Sequence, residues 1–181
     1  MQRISVPERP NLAEVAVEHE LEYANGKGIK GWDETAYYQF SLDQIEKEIV
    51  KPAEEIEELC FQVVDRAVSN EEVLERLGIP KYFWCYIGDS WRNGEKNLYG
   101  RLDLSYDGQA PAKLLEYNAD TPTTLYESAV MQWEWLEQAK NLDLIPDDVD
   151  QLNEIHEHIV DIIPKLGLGK LSHFACSHDI E

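Results

Sequence analysis

The stretch from Ser41 to Ala67 constrains the fold of this chain more than any other. Ile45, Ile49, Ile56, Leu59, Val63 and Ala67 recur at spacings of three, four and seven, the period of one helix face. Ser41 and Gln44 read as a capping box, in which hydroxyl and amide each satisfy a backbone N–H at the helix start. The pattern predicts a helix that buries one stripe against another layer. Pro52 falls inside it and removes an internal hydrogen bond, so a kink or break is expected there. Glu54, Glu55, Glu57 and Glu58 form a solvated face, because consecutive helix positions do not converge on a metal.

The second layer comes from β-type runs. Leu98 to Tyr106 and Lys113 to Asn118 are strand-like and are joined by Asp107-Gly108-Gln109-Ala110-Pro111, which predicts a hairpin. Lys81 to Ile87, aromatic and β-branched, is expected to be a strand, as is Leu171 to Cys176. A short helix from Glu71 to Leu77 starts behind Ser69 or Asn70 and stops at Gly78 and Pro80. Two more helices are expected. One runs from about Pro122 to Lys140, with Thr121 as N-cap and Pro122 at its first position. The other runs from about Asp148 to Ile163, with Val149, Leu152, Ile155, Ile159 and Ile162 inward. The fold class is α/β, with helices packed on a mixed or antiparallel sheet. A length of 181 residues suits one domain over 1–181.

Charge excludes several functions. Acidic residues outnumber basic ones 36 to 16, a formal net charge of −20. A nucleic-acid surface needs the opposite sign. Such a field attracts cations, including metal ions and polyamines. No apolar run approaches the roughly 18 residues of a membrane span, and the N-terminus lacks an apolar signal core. A cytoplasmic location is expected. Cys60, Cys85 and Cys176 form no CxxC pair and read as reduced thiols, the first two in the core.

Four motif-like patterns lose their force. Gly26-Lys27-Gly28-Ile29-Lys30-Gly31 spells a dinucleotide fingerprint, but no buried strand precedes it and no apolar helix follows, so a loop is expected. Gly167-Leu168-Gly169-Lys170 lacks the glycine spacing and following Ser or Thr of a P-loop. His173, Cys176 and His178 fall on both faces of a strand and have no fourth zinc ligand, and His156 and His158 share no helix face.

The hairpin carries the chemistry. Arg101, Asp103 and Ser105 share one strand face, and Leu114, Glu116 and Asn118 share one on the partner. If Asp103 lies opposite Glu116, then Arg101 lies opposite Asn118 and all four polar groups meet. Asp, Glu and Asn supply oxygen ligands suited to Mg²⁺, which keeps several waters and binds phosphate oxygens. An adjacent Arg can stabilise charge on a transferring phosphoryl group. The other reading of the same residues is a surface hairpin with a structural ion pair. Asn118-Ala119-Asp120-Thr121-Pro122-Thr123-Thr124 then runs into a predicted helix start, a place where backbone N–H groups favour anions.

These residues resemble a family. Tyr99-Gly100-Arg101-Leu102-Asp103-Leu104 and Leu114-Leu115-Glu116-Tyr117-Asn118-Ala119-Asp120-Thr121-Pro122-Thr123 are similar to the signature of glutathionylspermidine synthase-like acid–amine ligases. Tyr126-Glu127-Ser128-Ala129 and Gln132-Trp133-Glu134-Trp135-Leu136-Glu137 extend the likeness. In such a family ATP phosphorylates a carboxylate and an amine attacks the acyl phosphate. The resemblance implies that Arg101 contacts the transferring phosphate and that Asp103, Glu116 and Asn118 hold Mg²⁺. Thr121 and Thr123 fall where the family binds a peptide-like acid, although characterised synthetases carry serines there. The partners implied are a small-molecule or peptide-like carboxylic acid and an amine, such as a polyamine. The family's ATP-grasp module has no counterpart here, so the chain is expected to be the pre-ATP-grasp part of a longer ligase. The alternative is a catalytically silent binding or interaction domain of the same fold.

Overall fold

The computed structural model describes residues 1–19, 31–120, 122–166 and 169. The chain divides into two compact units: contiguous Ser41–Pro122, and a second assembled from Met1–Phe40 and Thr123–Glu181. The class is α/β, and each described sheet is a two-stranded antiparallel ribbon.

The contiguous unit opens as its sequence predicts. The Ser41 hydroxyl accepts the Gln44 N–H at 3.2 Å, and Gln44 Oε1 accepts the Ser41 N–H at 3.2 Å, completing the capping box of α2 (Leu42–Gln44). A π-helical segment, Ile45–Val50, leads into α3 (Lys51–Val68). Pro52 therefore produces a change of hydrogen-bond register just before it, and the helix runs on. Pro52 has no N–H to offer the Glu48 carbonyl four residues back. The Ala112 N–H, from the hairpin loop, takes that carbonyl at 2.7 Å.

The expected single buried stripe on this helix is only partly realised. Ala67 is buried and Ile45, Ile49 and Ile56 are half-buried, but Leu59 and Val63 are each 58% exposed. The reason is which side of α3 its neighbour takes. Helix α5 (Lys81–Asn93) meets α3 at Phe61 and Asp65: the Phe61 and Trp91 rings lie 6.0 Å apart, and Trp91 Nε1–H donates to Asp65 Oδ1 at 3.0 Å. Positions two apart on a helix point to nearly opposite sides, so that packing leaves Leu59 and Val63 uncovered.

Helix α5 also corrects the strand expected at Lys81–Ile87. Trp84, Ile87, Gly88 and Trp91 form its inward face at helical spacing, while Tyr82, Phe83 and Tyr86 are exposed. Pro80 precedes its first residue, and Gly94, at φ 63, closes it in the left-handed region. The preceding α4 (Glu71–Arg76) is capped by Asn70, whose Oδ1 accepts the Glu72 N–H at 3.0 Å. Cys85 is exposed on α5 and Cys60 half-buried on α3, so neither is a core thiol.

In the second unit β1 (Gln2–Ser5) pairs with β2 (Ala36–Gln39), and α1 (Leu12–Glu18) buries Leu12, Val15 and Ala16. The long helix expected from Pro122 begins instead at 125, continues through π-helical Glu127–Met131 and ends as α6 (Gln132–Asn141). Thr124, at φ 69, cannot extend a right-handed turn towards its N-terminus, and its carbonyl accepts the Ser128 N–H at 3.2 Å. Thr121, the expected cap, lies outside the described residues. Likewise α7 (Ile155–Ile162) starts later than Asp148, behind Glu154 at its N-cap, and Asn153 Oδ1 accepts the Ile155 N–H at 3.2 Å. Leu152 precedes that helix and is exposed, while Ile155, Ile159 and Ile162 are half-buried. A 3₁₀ turn, Ile163–Leu166, follows.

Two apolar clusters hold this unit: Val15, Ala16 and Met131 with Trp32 and Tyr126; and Leu136, Ala139 and Ile145 with Tyr37 and Trp135. A polar chain joins them. Buried Arg9 donates through Nε to Glu34 at 2.8 Å and through Nη1 to Gln138 at 2.9 Å. Gln138 donates to Glu134 at 2.6 Å, and Glu134 pairs with His19 Nε2 at 2.7 Å. His19 Nδ1 meets the Tyr126 hydroxyl. The glycine cluster at 26–30, the strand expected at Leu171–Cys176, and His173, Cys176 and His178 lie outside the described residues.

Candidate functional site

The site grows from the hairpin of the contiguous unit. Strand β3 (Arg101–Ser105) pairs antiparallel with β4 (Lys113–Asn118). Arg101 lies opposite Asn118 and Asp103 opposite Glu116, which is the register that brings the four polar side chains to one face. Past Asp103 the ladder shifts, Leu104 facing Leu114, so Leu115 is the extra residue of a bulge. The irregularity sits beside the polar set, where bulges re-aim side chains.

Three further contacts fix the hairpin. The Tyr106 hydroxyl donates to the Glu48 carboxylate, Gln44 Nε2 donates to the Gly108 carbonyl at 3.2 Å, and Ala112 N–H reaches the Glu48 carbonyl. The loop end is thus tied to the π-helical segment. Burial and the Glu48 carboxylate together push the Tyr106 phenol up to about 12. Asp107 accepts the N–H groups of Gln109 and Ala110, at 2.9 and 3.2 Å, which hold its carboxyl below its ordinary range. At the open end, Tyr99 donates to the Pro122 carbonyl at 3.0 Å, anchoring the residues before Arg101 to the start of the Pro-Thr-Thr segment.

Gly100 has a distinct role. A Cβ built there would lie 2.6 Å from Tyr117 Cε2, so the Tyr117 ring lies directly against the backbone preceding Arg101. A glycine beside a strand residue is the sequence signal of such an approach.

Charge on the shared face is arranged around Asp103. Arg101 Nε donates to Asp103 Oδ1 at 2.9 Å and Nη2 to Oδ2 at 3.2 Å. Asn118 Nδ2 points to the same Oδ2 at 3.5 Å. The hydrogen bond to Asp103, with Glu116 nearby, raises the Arg101 pKa still further. Arg101 and Asp103 are about one-third exposed, and Glu116 is exposed. Two carboxylates directly opposite on one face repel, so the arrangement calls for positive charge between them. Two carboxylates and an amide oxygen match the hard donor set of Mg²⁺, which completes its shell with water. They do not make a closed cage: no group of three or more His, Cys, Asp and Glu able to hold a metal occurs among the described residues.

The structure therefore brings together Arg101, Asp103, Glu116 and Asn118. Thr123 is exposed and belongs to the other unit, and Thr121 is outside the described residues. The helix start expected at Thr121 as an anion site is not there. Sequence reading places Tyr99, Gly100 and Tyr117 within the motif without giving them a role and passes over Tyr106; these four position the hairpin. Among the described residues no helix is long and apolar enough to cross a membrane.

Comparison with known proteins shows the family. Residues 3–181 match the family described as glutathionylspermidine synthase pre-ATP-grasp. A protein assigned as an acid–amine ligase in Haemophilus influenzae is 35% identical over 164 residues, 88% of this chain and 40% of that protein. The bifunctional glutathionylspermidine synthetase/amidase of Escherichia coli is 28% identical over 117 residues, 64% of this chain and 18% of the enzyme. Trypanothione synthetase of Crithidia fasciculata is 27% identical over 84 residues, 46% of this chain and 13% of the enzyme. The chain thus spans well under two-thirds of the length of these relatives. With a match covering nearly every residue, and a hairpin whose register assembles the polar set, the chain belongs to the glutathionylspermidine synthase pre-ATP-grasp family.

Proposed function

We propose that this chain supplies the metal- and phosphoryl-binding side of an ATP-dependent carboxylate–amine ligase. ATP phosphorylates a carboxylic acid, and an amine displaces phosphate from the acyl phosphate to form an amide. Asp103, Glu116 and Asn118 hold Mg²⁺, which neutralises phosphate charge when bound. Arg101 meets the negative charge that develops on the transferring phosphoryl group. Thr121 and Thr123 take the acid, and the nucleotide is held by an ATP-grasp module beyond the residues present here. The observation that supports this reading best is the register that places Arg101 and Asp103 opposite Asn118 and Glu116. The net charge of −20 suits an amine co-substrate carrying positive charge, such as a polyamine.

The second reading is a catalytically silent binding domain. Its support is the Arg101–Asp103 pair itself, which is what a purely structural ion pair would look like. One comparison separates the two. In a complete ligase built on this chain, assayed with ATP, glutathione and spermidine, Arg101→Ala should lower kcat about 100- to 1,000-fold, as loss of a preorganised donor does. Arg101→Lys keeps the charge without the planar fork and should restore only part of the rate. Turnover of Arg101→Ala near wild type would sink the catalytic role.

A further inference from the structure

Asp103 is the point on which the hairpin's own donors converge. Its Oδ1 accepts from Arg101 Nε, and its Oδ2 accepts from Arg101 Nη2 and faces Asn118 Nδ2. A divalent cation requires those same oxygens. A cation on them would lie within a few ångström of the guanidinium already at the carboxylate edge, and the two positive groups repel. Asn118 meets a related conflict: it offers N–H to Asp103 in this structure, whereas a cation needs its carbonyl oxygen.

We propose that Arg101 and a divalent cation exchange on Asp103, so that the site takes a cation-bearing phosphate as one ligand. This rests on the metal reading above. The cation takes Asp103 and the opposite Glu116, and Arg101 leaves its ion pair. Its planar fork then turns to a phosphoryl oxygen, which it fits as well as it fits a carboxylate. The Asn118 amide rotates to present its oxygen. Cation and phosphate therefore favour each other: each raises the affinity for the other by the same factor. Without a cation, Asp103 holds Arg101 back from bare phosphate.

The test uses the 181-residue chain, with Mg²⁺ and inorganic phosphate as probes. Mg²⁺ is titrated in while calorimetry gives its affinity and NMR follows the Arg101 Nε–H. The resonance should leave its hydrogen-bonded position, and exchange faster with water, along the same saturation curve. Arg101→Ala should bind Mg²⁺ about two- to fivefold more tightly, the scale set by a partly exposed ion pair. Inorganic phosphate should tighten Mg²⁺ binding to wild type and not to Arg101→Ala. An Arg101 resonance that stays put at Mg²⁺ saturation, or an Arg101→Ala affinity equal to or weaker than wild type, overturns the exchange and leaves the metal reading standing. Wild type that takes up no Mg²⁺ at about 10 mM, orders of magnitude above the affinity of a useful site, overturns both. So does Asp103→Asn binding Mg²⁺ as well as wild type.

Discussion

Gly100 shows how one missing side chain positions a functional one. The Tyr117 ring occupies the space a Cβ would need, its Cε2 only 2.6 Å from where an alanine methyl would stand. Tyr117 is paired with Leu102 across the ladder, between the two polar pairs, so displacing it disturbs the register at the site. Burial also pushes the Tyr117 phenol above its ordinary value, in keeping with a ring held against the chain. Gly100→Ala should cost about 1–3 kcal/mol of stability, the range for forcing an extra methyl into a packed contact. Tyr117→Ala removes the obstacle. The double variant should therefore be little less stable than Tyr117→Ala alone, a positive coupling read from urea midpoints of the four proteins. Strict additivity would show that the ring and Gly100 do not share this space. Such a contact leaves only a faint trace in sequence, because it depends on which residue lies across the ladder.

Elements were legible where two independent local signals agreed. The capping box at Ser41 and the helix after it, the Asn70 cap and the Gly78 stop, and the hairpin all follow from neighbouring residues, whereas the hairpin's register was open in the sequence and is fixed only by the pairing of Asp103 with Glu116. Elements were misread where one signal stood alone. Aromatic content suggested a strand at Lys81–Ile87, yet the spacing of Trp84, Ile87, Gly88 and Trp91 is helical and tertiary packing on α3 decides it. The π-helical segment was invisible because its cause is partly remote: Pro52 removes a donor locally, and Ala112 supplies one from far along the chain. That dependence makes the hairpin loop sensitive to alkaline pH. The Tyr106 phenol is raised to about 12 from an ordinary 10.0, so its proton is held in the folded chain after an unfolded tyrosine has lost it. Its contribution is fully present below pH 10 and is lost as pH rises from there through about 12. Phenolate absorbance should show one tyrosine titrating near pH 12, absent in Tyr106→Phe. The amides of residues 107–110 and of Ala112 should lose hydrogen-exchange protection over the same window in wild type. Protection that survives to pH 12 would separate the loop from the Tyr106–Glu48 bond.

At the scale of the whole molecule, the reading as one domain over 1–181 stays a proposal beside the two compact units, only one of which is contiguous. The half of the site that can be described belongs to that contiguous unit. A net charge of −20 repels a polyphosphate at long range, so a nucleotide approaches such a chain most readily when a cation has already neutralised part of its charge. On the proposed reading the hairpin offers one cation site and one arginine, and neither encloses an adenine or orients a γ-phosphate for attack. No P-loop is spelled in the sequence, and the chain matches 40% of the length of its Haemophilus influenzae relative. Phosphoryl transfer depends on positioning, because little of its barrier is lowered by covalent help from the protein. A half-site that binds the metal without fixing the nucleotide should therefore give no measurable turnover. The purified 181-residue chain, supplied with ATP, Mg²⁺, glutathione and spermidine, should release no ADP and form no amide above an Asp103→Asn, Arg101→Ala double-variant control. Adding an ATP-grasp segment in the same polypeptide should bring both activities up together, since acyl phosphate formation precedes amide formation. ADP release or amide formation by the chain alone, abolished in the double variant, would show that the residues present here already make a complete active site.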